Sequence, residues 1–365
     1  MPGETVRVGV IGTGGQAKYV HLDGYARCPQ ASIVALCDTN AELLAQRAEE
    51  YGVSRTHTDY EELLARPDVD AVSICTPNVY HKEIALAAVR HGKHVLCEKP
   101  IAMGYADARE MAEEAERAGV RHMTAFTYRF VPAMRYLQFR VHRGDIGRPT
   151  QVRCRRLQDW EDRAIGWRQI RSMAGTGELG DMASHRIDYA NALVGPAIRA
   201  TGLLKTFMPE RTTADGGKMA TDVDDWTAFI VEYQSGAVGV FESTKLAFGR
   251  GTSSQGLDEL EISGPEGAFL YQLGEPHRLR FARPGQTYEV VPVPEDFLRP
   301  PGAPAGFSAG DPLTTFRYAQ MWEFISAIRE GRACVPSLFD GARCQAIMDA
   351  VVQSSDERRW VNVPA

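Results

Sequence analysis

Asp181 and His185 stand four residues apart in the run Gly180–Val194. A helix there puts both on one face, and Asp188 continues it. An imidazole beside a carboxylate can serve as general base or acid near neutral pH. Two other readings stay open: a helix cap at Asp181 beside a satisfied histidine, or a metal held by Asp181, His185 and Asp188. Against the metal, no second His/Cys cluster stands out. Lys99, in Glu98-Lys99-Pro100, is the other candidate for chemistry. An ammonium there can donate to a substrate oxygen and stabilise developing negative charge. Pro100 restricts the backbone of Lys99. The alternative is a solvated lysine paired with Glu98.

A different chemistry is written at the start of the chain. Val6, Val8 and Val10–Ile11 read as a short buried strand, followed by Gly12, Gly14 and Ala17 in a G-x-G-x-x-A pattern. The first glycine permits a tight turn, the second lets backbone approach a pyrophosphate, and the small third residue lets a helix pack on the strand. Gln16–Ala26 can be that helix, with its free N–H groups toward the phosphates. Asp38 closes the next apolar run, Ile33–Cys37, where a carboxylate can bond the ribose hydroxyls. It would repel a 2′-phosphate, and Thr39-Asn40 offer no positive charge to accept one. NAD is therefore expected rather than NADP, although Asp38 can also cap the helix starting near Asn40.

The elements that must position these residues alternate. Helices are expected over Asn40–Tyr51, Asp59–Ala65, Tyr80–His91 and Tyr105–Ala118. Strands are expected over Arg55–His57, Ala71–Cys75, His94–Cys97 and Arg121–Ala125. Such alternation implies a parallel, doubly wound sheet, which binds ligands beyond the carboxyl ends of its strands. That places Gly12–Gly15, Asp38, Thr76–Asn78 and Glu98–Pro100 on one rim. The expected cofactor contacts are Gly12, Thr13, Gly14, Gly15, Gln16, Asp38, Thr76, Pro77, Asn78, His81, Glu98 and Lys99.

After Ala125 the pattern changes. Val131–His142 reads as a helix and Gly147–Leu157 as a strand; helix Gly180–Val194 stops at Gly195-Pro196. Strand candidates follow: Ile198–Thr206, Trp226–Tyr233, Ala237–Ser243, Glu259–Ser263, Ala268–Leu273, Arg278–Phe281 and Glu289–Val293. Ser235-Gly236 and Pro265-Glu266-Gly267 suit hairpins. Pro294–Pro312 reads as a surface loop or arm, and helices Thr314–Glu330 and Asp340–Ser354 close the chain. The expected fold is α/β: a doubly wound domain over 1–125, then an α+β domain over 126–365 with a large, mostly antiparallel open sheet. An uncovered sheet face calls for a partner, so a homodimer or homotetramer is expected.

Bulk properties bound the function. The chain has 365 residues, 44% of them hydrophobic, and a net charge of −6, which argues against nucleic acid or an anionic membrane surface as partner. No apolar run approaches a spanning helix, and the N-terminus lacks a secretory pattern. The seven cysteines show no C-x-x-C spacing. They read as buried free thiols of a cytoplasmic protein.

Together, Gly12-Thr13-Gly14, Thr76-Pro77-Asn78, Glu98-Lys99-Pro100 and the run from Gly175 through Asp181 and His185 to Asp188 resemble the glucose–fructose oxidoreductase/inositol dehydrogenase family. Tyr128-Arg129-Phe130 and Gly144–Gly147 extend the likeness over nearly the whole chain. The resemblance implies a Rossmann domain, an open sheet used in oligomerisation, and Lys99, Asp181 and His185 as the catalytic set. Gly175-Thr176-Gly177 departs from the commoner triple glycine, and Thr127 stands where many members have asparagine. Implied substrate contacts are Lys99, Tyr128, Arg129, Trp160, Trp167, Arg168, Asp181 and His185. Arg153–Arg171, with Arg155, Arg156, Gln158, Asp159, Trp160, Glu161, Asp162, Trp167 and Arg168, can form a sugar-binding wall or a charged exposed strand with its Trp in the core. Leu157–Trp160 and Trp167-Arg168 look most like members that oxidise inositols or pyranoses such as levoglucosan. The expected reaction is oxidation of a secondary hydroxyl by hydride transfer, with His185 as base. The alternatives are an NAD-dependent glycosidase and a non-enzymatic NAD-binding sensor.

Overall fold

The computed structural model describes residues 5–160, 165–252 and 256–364. Its chain falls into two compact units: Met1–Phe130 with Arg299–Ala342, and Val131–Leu298 with Arg343–Ala365.

In the first unit, β1 (Val6–Ile11), β2 (Ala31–Cys37), β3 (Thr56–His57), β4 (Ala71–Ile74), β5 (His94–Cys97) and β6 (His122–Thr124) form a six-stranded sheet in the order β3-β2-β1-β4-β5-β6. Every pairing is parallel. Val8, Val10, Val72 and Val95 are fully buried, as central strands covered on both faces require. The strand order reverses between β1 and β4, where such sheets open a ligand crevice. Asn40 starts the helix Ala41–Tyr51 by accepting from the Leu43 N–H, and Gly52 ends it at φ +66°. Asn40 is thus the cap that Asp38 had been a candidate for. The expected helix Gln16–Ala26 is split into a π-helical turn, Ala17–Leu22, and an α-helical turn, Asp23–Ala26.

The chain does not divide at a single point near residue 125. Met321, Trp322, Phe324 and Ile325, from helix Ala319–Glu330, share one core with Val10, Leu22 and Tyr25. Nor is 294–312 wholly a surface arm. Phe307 is buried against Trp322, ring centroids 5.3 Å apart, and the Trp322 indole donates to the Pro301 carbonyl. The physical reason is that Val8, Val10 and Tyr25 need an apolar cover, which this later segment supplies.

The second unit contains β7 (Gln151–Leu157), β8 (Ala197–Lys205), β9 (Glu210–Thr212), β10 (Lys218–Ala220), β11 (Trp226–Tyr233), β12 (Val238–Thr244), β13 (Leu257–Gly264), β14 (Gly267–Gln272), β15 (Arg278–Ala282), β16 (Glu289–Pro292) and β17 (Val361–Asn362). Nine of these build one sheet, β16-β15-β14-β13-β7-β12-β11-β8-β17, while β9 and β10 pair separately. The pairing of β7 with β12 is parallel; the rest are antiparallel. The short β9, β10 and β17 had no signal strong enough to be expected from sequence. Side chains alternate: Phe229, Val231, Phe241, Leu260 and Phe269 are buried on one face. On the other, Leu203, Ile230, Val238 and Val240 are exposed beside the ion pairs Arg153–Glu261, Arg155–Glu259 and Arg199–Glu232.

Candidate active site

The glycine turn is built as its spacing requires. Gly12 adopts φ +87°, and a Cβ there would sit 2.7 Å from the Cys75 carbonyl carbon. A Cβ at Gly14 or Gly15 would meet nothing within 4 Å, so the turn presents bare backbone on an open side. Asp38 is turned onto the same loop: its Oδ2 accepts from the Thr13 amide at 2.6 Å and the Thr13 hydroxyl at 2.9 Å. Its Oδ1 accepts from the Asn40 amide at 2.9 Å. The carboxylate therefore braces the turn, and Thr13, fully buried, is a partner of Asp38.

The other rim residues divide by role. Asn78 begins a short 3-10 turn after Thr76-Pro77. His81 is fully buried, with ring nitrogens 2.8 Å from the Pro100 carbonyl and 2.9 Å from the Thr76 carbonyl. Burial lowers its pKa, outweighing these bonds, so the ring is neutral and donates to one of the two. It ties two rim loops together, a different role from the expected cofactor contact. Glu98 is buried, and its Oε1 lies 2.9 Å from both His21 Nε2 and Gln16 Nε2. Its carboxylate thus serves the interior, where the sequence had allowed a surface pair with Lys99. Lys99 is half-buried, and its amide donates to Glu98 Oε2 at 3.2 Å.

Tyr128 is half-buried beside Phe316, with ring centroids 5.6 Å apart. Arg129, expected to touch substrate, is buried with its guanidinium 3.3 Å from Asp340. A charge that far from water needs a partner of opposite sign, and Asp340 supplies it. Thr127 is also buried, donating to the Ala125 carbonyl at 3.3 Å.

In the second unit Asp181 lies in a π-helical turn, Leu179–Ala183, that runs into the helix Ser184–Val194. Its Oδ2 accepts from Lys245 Nζ at 3.0 Å, and its Oδ1 is 3.5 Å from Arg168 Nε. His185 and Asp188 follow in that helix, both buried. Asp224 anchors the turn: its two carboxylate oxygens accept from the Gly177 and Leu179 amides, each at 2.7 Å. A Cβ on Gly177 would stand 1.9 Å from the Asp224 carbonyl oxygen, so that position must be glycine. Fully buried Glu178 pairs with fully buried Arg156 at 2.6 Å, accepts from Ser243, and lies 3.7 Å from Lys245. The Trp160 indole donates to Gln158 at 2.8 Å, and the Arg168 guanidinium stacks 4.3 Å from the Trp167 ring centre.

The expected wall therefore separates by strand alternation. Arg155 points outward to Glu259, Arg156 is sealed inside, and Trp160, Trp167 and Arg168 remain half-buried. Glu161 and Asp162 lie outside the described residues. Among the described residues, no three His, Cys, Asp or Glu side chains could hold a metal ion. Sequence reasoning missed Lys245 and Asp224. Lys245 was legible: Phe241, Ser243 and Lys245 continue the inward alternation of β12, and a lysine facing inward needs an anion.

Fold and glycine turn together are those of a two-unit, dinucleotide-binding oxidoreductase. Residues 6–126 match the oxidoreductase family with an NAD-binding Rossmann fold, and residues 134–270 match the GFO/IDH/MocA C-terminal domain. The chain is 32% identical to a levoglucosan dehydrogenase of Pseudarthrobacter phenanthrenivorans, over 99% of both chains. It is 30% identical to a myo-inositol 2-dehydrogenase of Thermotoga maritima, over 72% of this chain and 74% of that one. A levoglucosan dehydrogenase structure in complex with NADH and L-sorbose superposes with TM-score 0.89, at 32% identity and 99% coverage of both chains. The chain belongs to the Gfo/Idh/MocA family of NAD-dependent oxidoreductases. The open, side-chain-free backbone at Gly14 and Gly15 fits that cofactor's pyrophosphate.

Proposed function

We propose that this oxidoreductase oxidises a secondary hydroxyl of a sugar or inositol to a ketone, a pyranose such as levoglucosan being one candidate substrate. The observation that carries the proposal is Asp181, held between Lys245 and Arg168 on the turn that leads into His185. The full-length likeness to a levoglucosan dehydrogenase supports it. Bound NAD supplies a hydride acceptor. An imidazole nitrogen of His185 takes the proton of the substrate hydroxyl. Lys99 donates to that oxygen and offsets its growing negative charge. Asp181 orients His185 or a neighbouring hydroxyl. The Trp167 face and the Arg168 guanidinium, with Trp160, recognise sugar C–H surfaces and hydroxyls. Gly12 to Gln16, Asp38, Thr76 to Asn78, Glu98 and Lys99 form the cofactor rim, in part by bracing one another. We further propose a homodimer or homotetramer and a cytoplasmic enzyme. All seven cysteines are free thiols, and among the described residues no helix is long and apolar enough to cross a membrane.

The test is absorbance of NADH while purified protein is incubated with NAD and a panel of pyranoses, anhydrosugars and inositols. Net NADH with a ketone product supports the proposal. Release of a cleaved sugar without net NADH points instead to glycosidase chemistry by transient oxidation. Neither response across the panel overturns the substrate class.

A further inference from the structure

Beneath Lys99 runs a chain of polar groups that the proposed reaction does not use. His21, in the π-helical turn Ala17–Leu22, is fully buried. Its Nε2 lies 2.9 Å from Glu98 Oε1, its Nδ1 lies 3.1 Å from Ser73 Oγ, and Ser73 Oγ lies 2.7 Å from the Tyr25 hydroxyl. Ser73, on β4, and Tyr25 are buried as well. Glu98 also takes the Gln16 amide at 2.9 Å on Oε1 and the Lys99 backbone N–H at 3.2 Å on Oε2. One proton arrangement satisfies this chain without adding a charge to the core. Tyr25 donates to Ser73, Ser73 donates to Nδ1, and Nε2–H donates to the carboxylate. Each donor then points toward Glu98.

We infer that His21 is a positioning residue, whose Nε2–H anchors the ionised Glu98 carboxylate and through it the backbone and electrostatic surroundings of Lys99. Its kinetic consequence rests on the proposed role of Lys99. Burial works to raise the pKa of Glu98, but His21, through its hydrogen bond and, when protonated, its charge, outweighs it together with the Lys99 charge and Gln16 and holds the group below the usual carboxylate range. The titratable groups facing Glu98 are His21, Lys99, His81, Cys75 and Cys97. Burial pushes both thiols up and His81 down, so they stay uncharged near neutral pH. The chain is an anchor and not a proton wire, because it ends at Tyr25, whose hydroxyl burial also pushes up. A buried carboxylate that loses such a donor takes up a proton instead.

The experiment uses full-length His21→Leu, His21→Gln and Ser73→Ala. Infrared difference spectra at mildly acidic pH should show a protonated carboxyl band in His21→Leu, lacking in the wild type and abolished by adding Glu98→Gln. His21→Gln, which keeps an N–H donor, should suppress that band. With the active substrate of the panel, His21→Leu should lower kcat by about tenfold or more while NAD affinity changes by less than about threefold, and His21→Gln should recover most of the loss. Ser73→Ala should act in the same direction more weakly, and it carries the test if His21→Leu fails to fold. No new band in either His21→Leu or Ser73→Ala, or equal losses in His21→Leu and His21→Gln, would overturn the inference. The band reports on Glu98 whether or not Lys99 touches substrate. Full turnover in Lys99→Ala would therefore sink the catalytic reading and leave the anchoring result to stand.

Discussion

At the scale of single residues, the rim shows how a motif can be right about place and incomplete about role. Asp38 stands where a ribose-binding carboxylate belongs, yet two of its hydrogen bonds go to Thr13. The loop and its acidic partner are therefore one device: the carboxylate expected to exclude a 2′-phosphate also sets the shape of the turn. Lys99→Ala should lower turnover by at least about 100-fold while NAD still binds, measured as kcat beside a cofactor titration. A loss below about tenfold would assign Lys99 a structural part. For His185 the sign follows from its proposed role as base. The neutral ring is the active form, so oxidation should quicken as pH rises through its titration. His185→Ala should remove that limb of the profile and leave NAD affinity nearly intact. A profile unchanged in the variant, with rate retained, would pass the proton to another group.

At the scale of elements, both segments at the centre of the functional reading contain a π-helical turn: Ala17–Leu22 after the glycines and Leu179–Ala183 around Asp181. Such turns widen the helix locally and recur at functional sites. The second is held by Asp224, whose carboxyl burial raises to about 6 despite its two amide hydrogen bonds. Its folded pKa thus lies above the unfolded value. The protonated form is favoured in the fold, and the associated stability is present below about pH 4 and lost as pH rises toward 6. The displacement corresponds to roughly 3 kcal/mol. Asp224→Asn should flatten the decline in thermal stability between those pH values, as followed by unfolding melts. An unchanged slope would mean that the group is ionised throughout. Neither π turn was legible in the sequence, because Gln16–Ala26 and Gly180–Val194 have ordinary helical patterning and the extra residue per turn leaves no periodic trace. The parallel sheet was legible, since its central strands β1, β2, β4 and β5 are short apolar runs followed within three residues by Gly, Pro or an acidic residue. The parallel pairing of β7 with β12 was not, because alternation reports which face is buried and is silent on strand direction. Arg129 reads as a binding residue from the resemblance and Arg156 from its type; that their partners are Asp340 and Glu178 depends on contacts between separate segments of the chain.

For the molecule as a whole, the open face of the nine-stranded sheet sets the assembly expectation. Leu203 and Val240 are 47% and 45% exposed, and Ile230 lies beside them on β11. Such a patch, framed by Arg–Glu pairs, suits a self-complementary contact with a second copy of the chain. Sedimentation at micromolar concentration should show a dimer or tetramer, and Val240→Asp should shift it toward monomer without loss of helical content. A monomeric wild type would remove the argument.

The sharing of one core between the first 130 residues and helix Ala319–Glu330 also bears on how the protein is made. A ribosome releases the sheet strands β1 to β6 early, but Met321, Trp322, Phe324 and Ile325 emerge only after the whole of Val131–Leu298. At ordinary elongation rates that gap lasts on the order of ten seconds. During it, Val10, Leu22 and Tyr25 lack their cover, and the nascent chain offers chaperones an apolar surface in the meantime. The cofactor-binding half is consequently among the last parts of this protein to be finished, although it is the first to be translated.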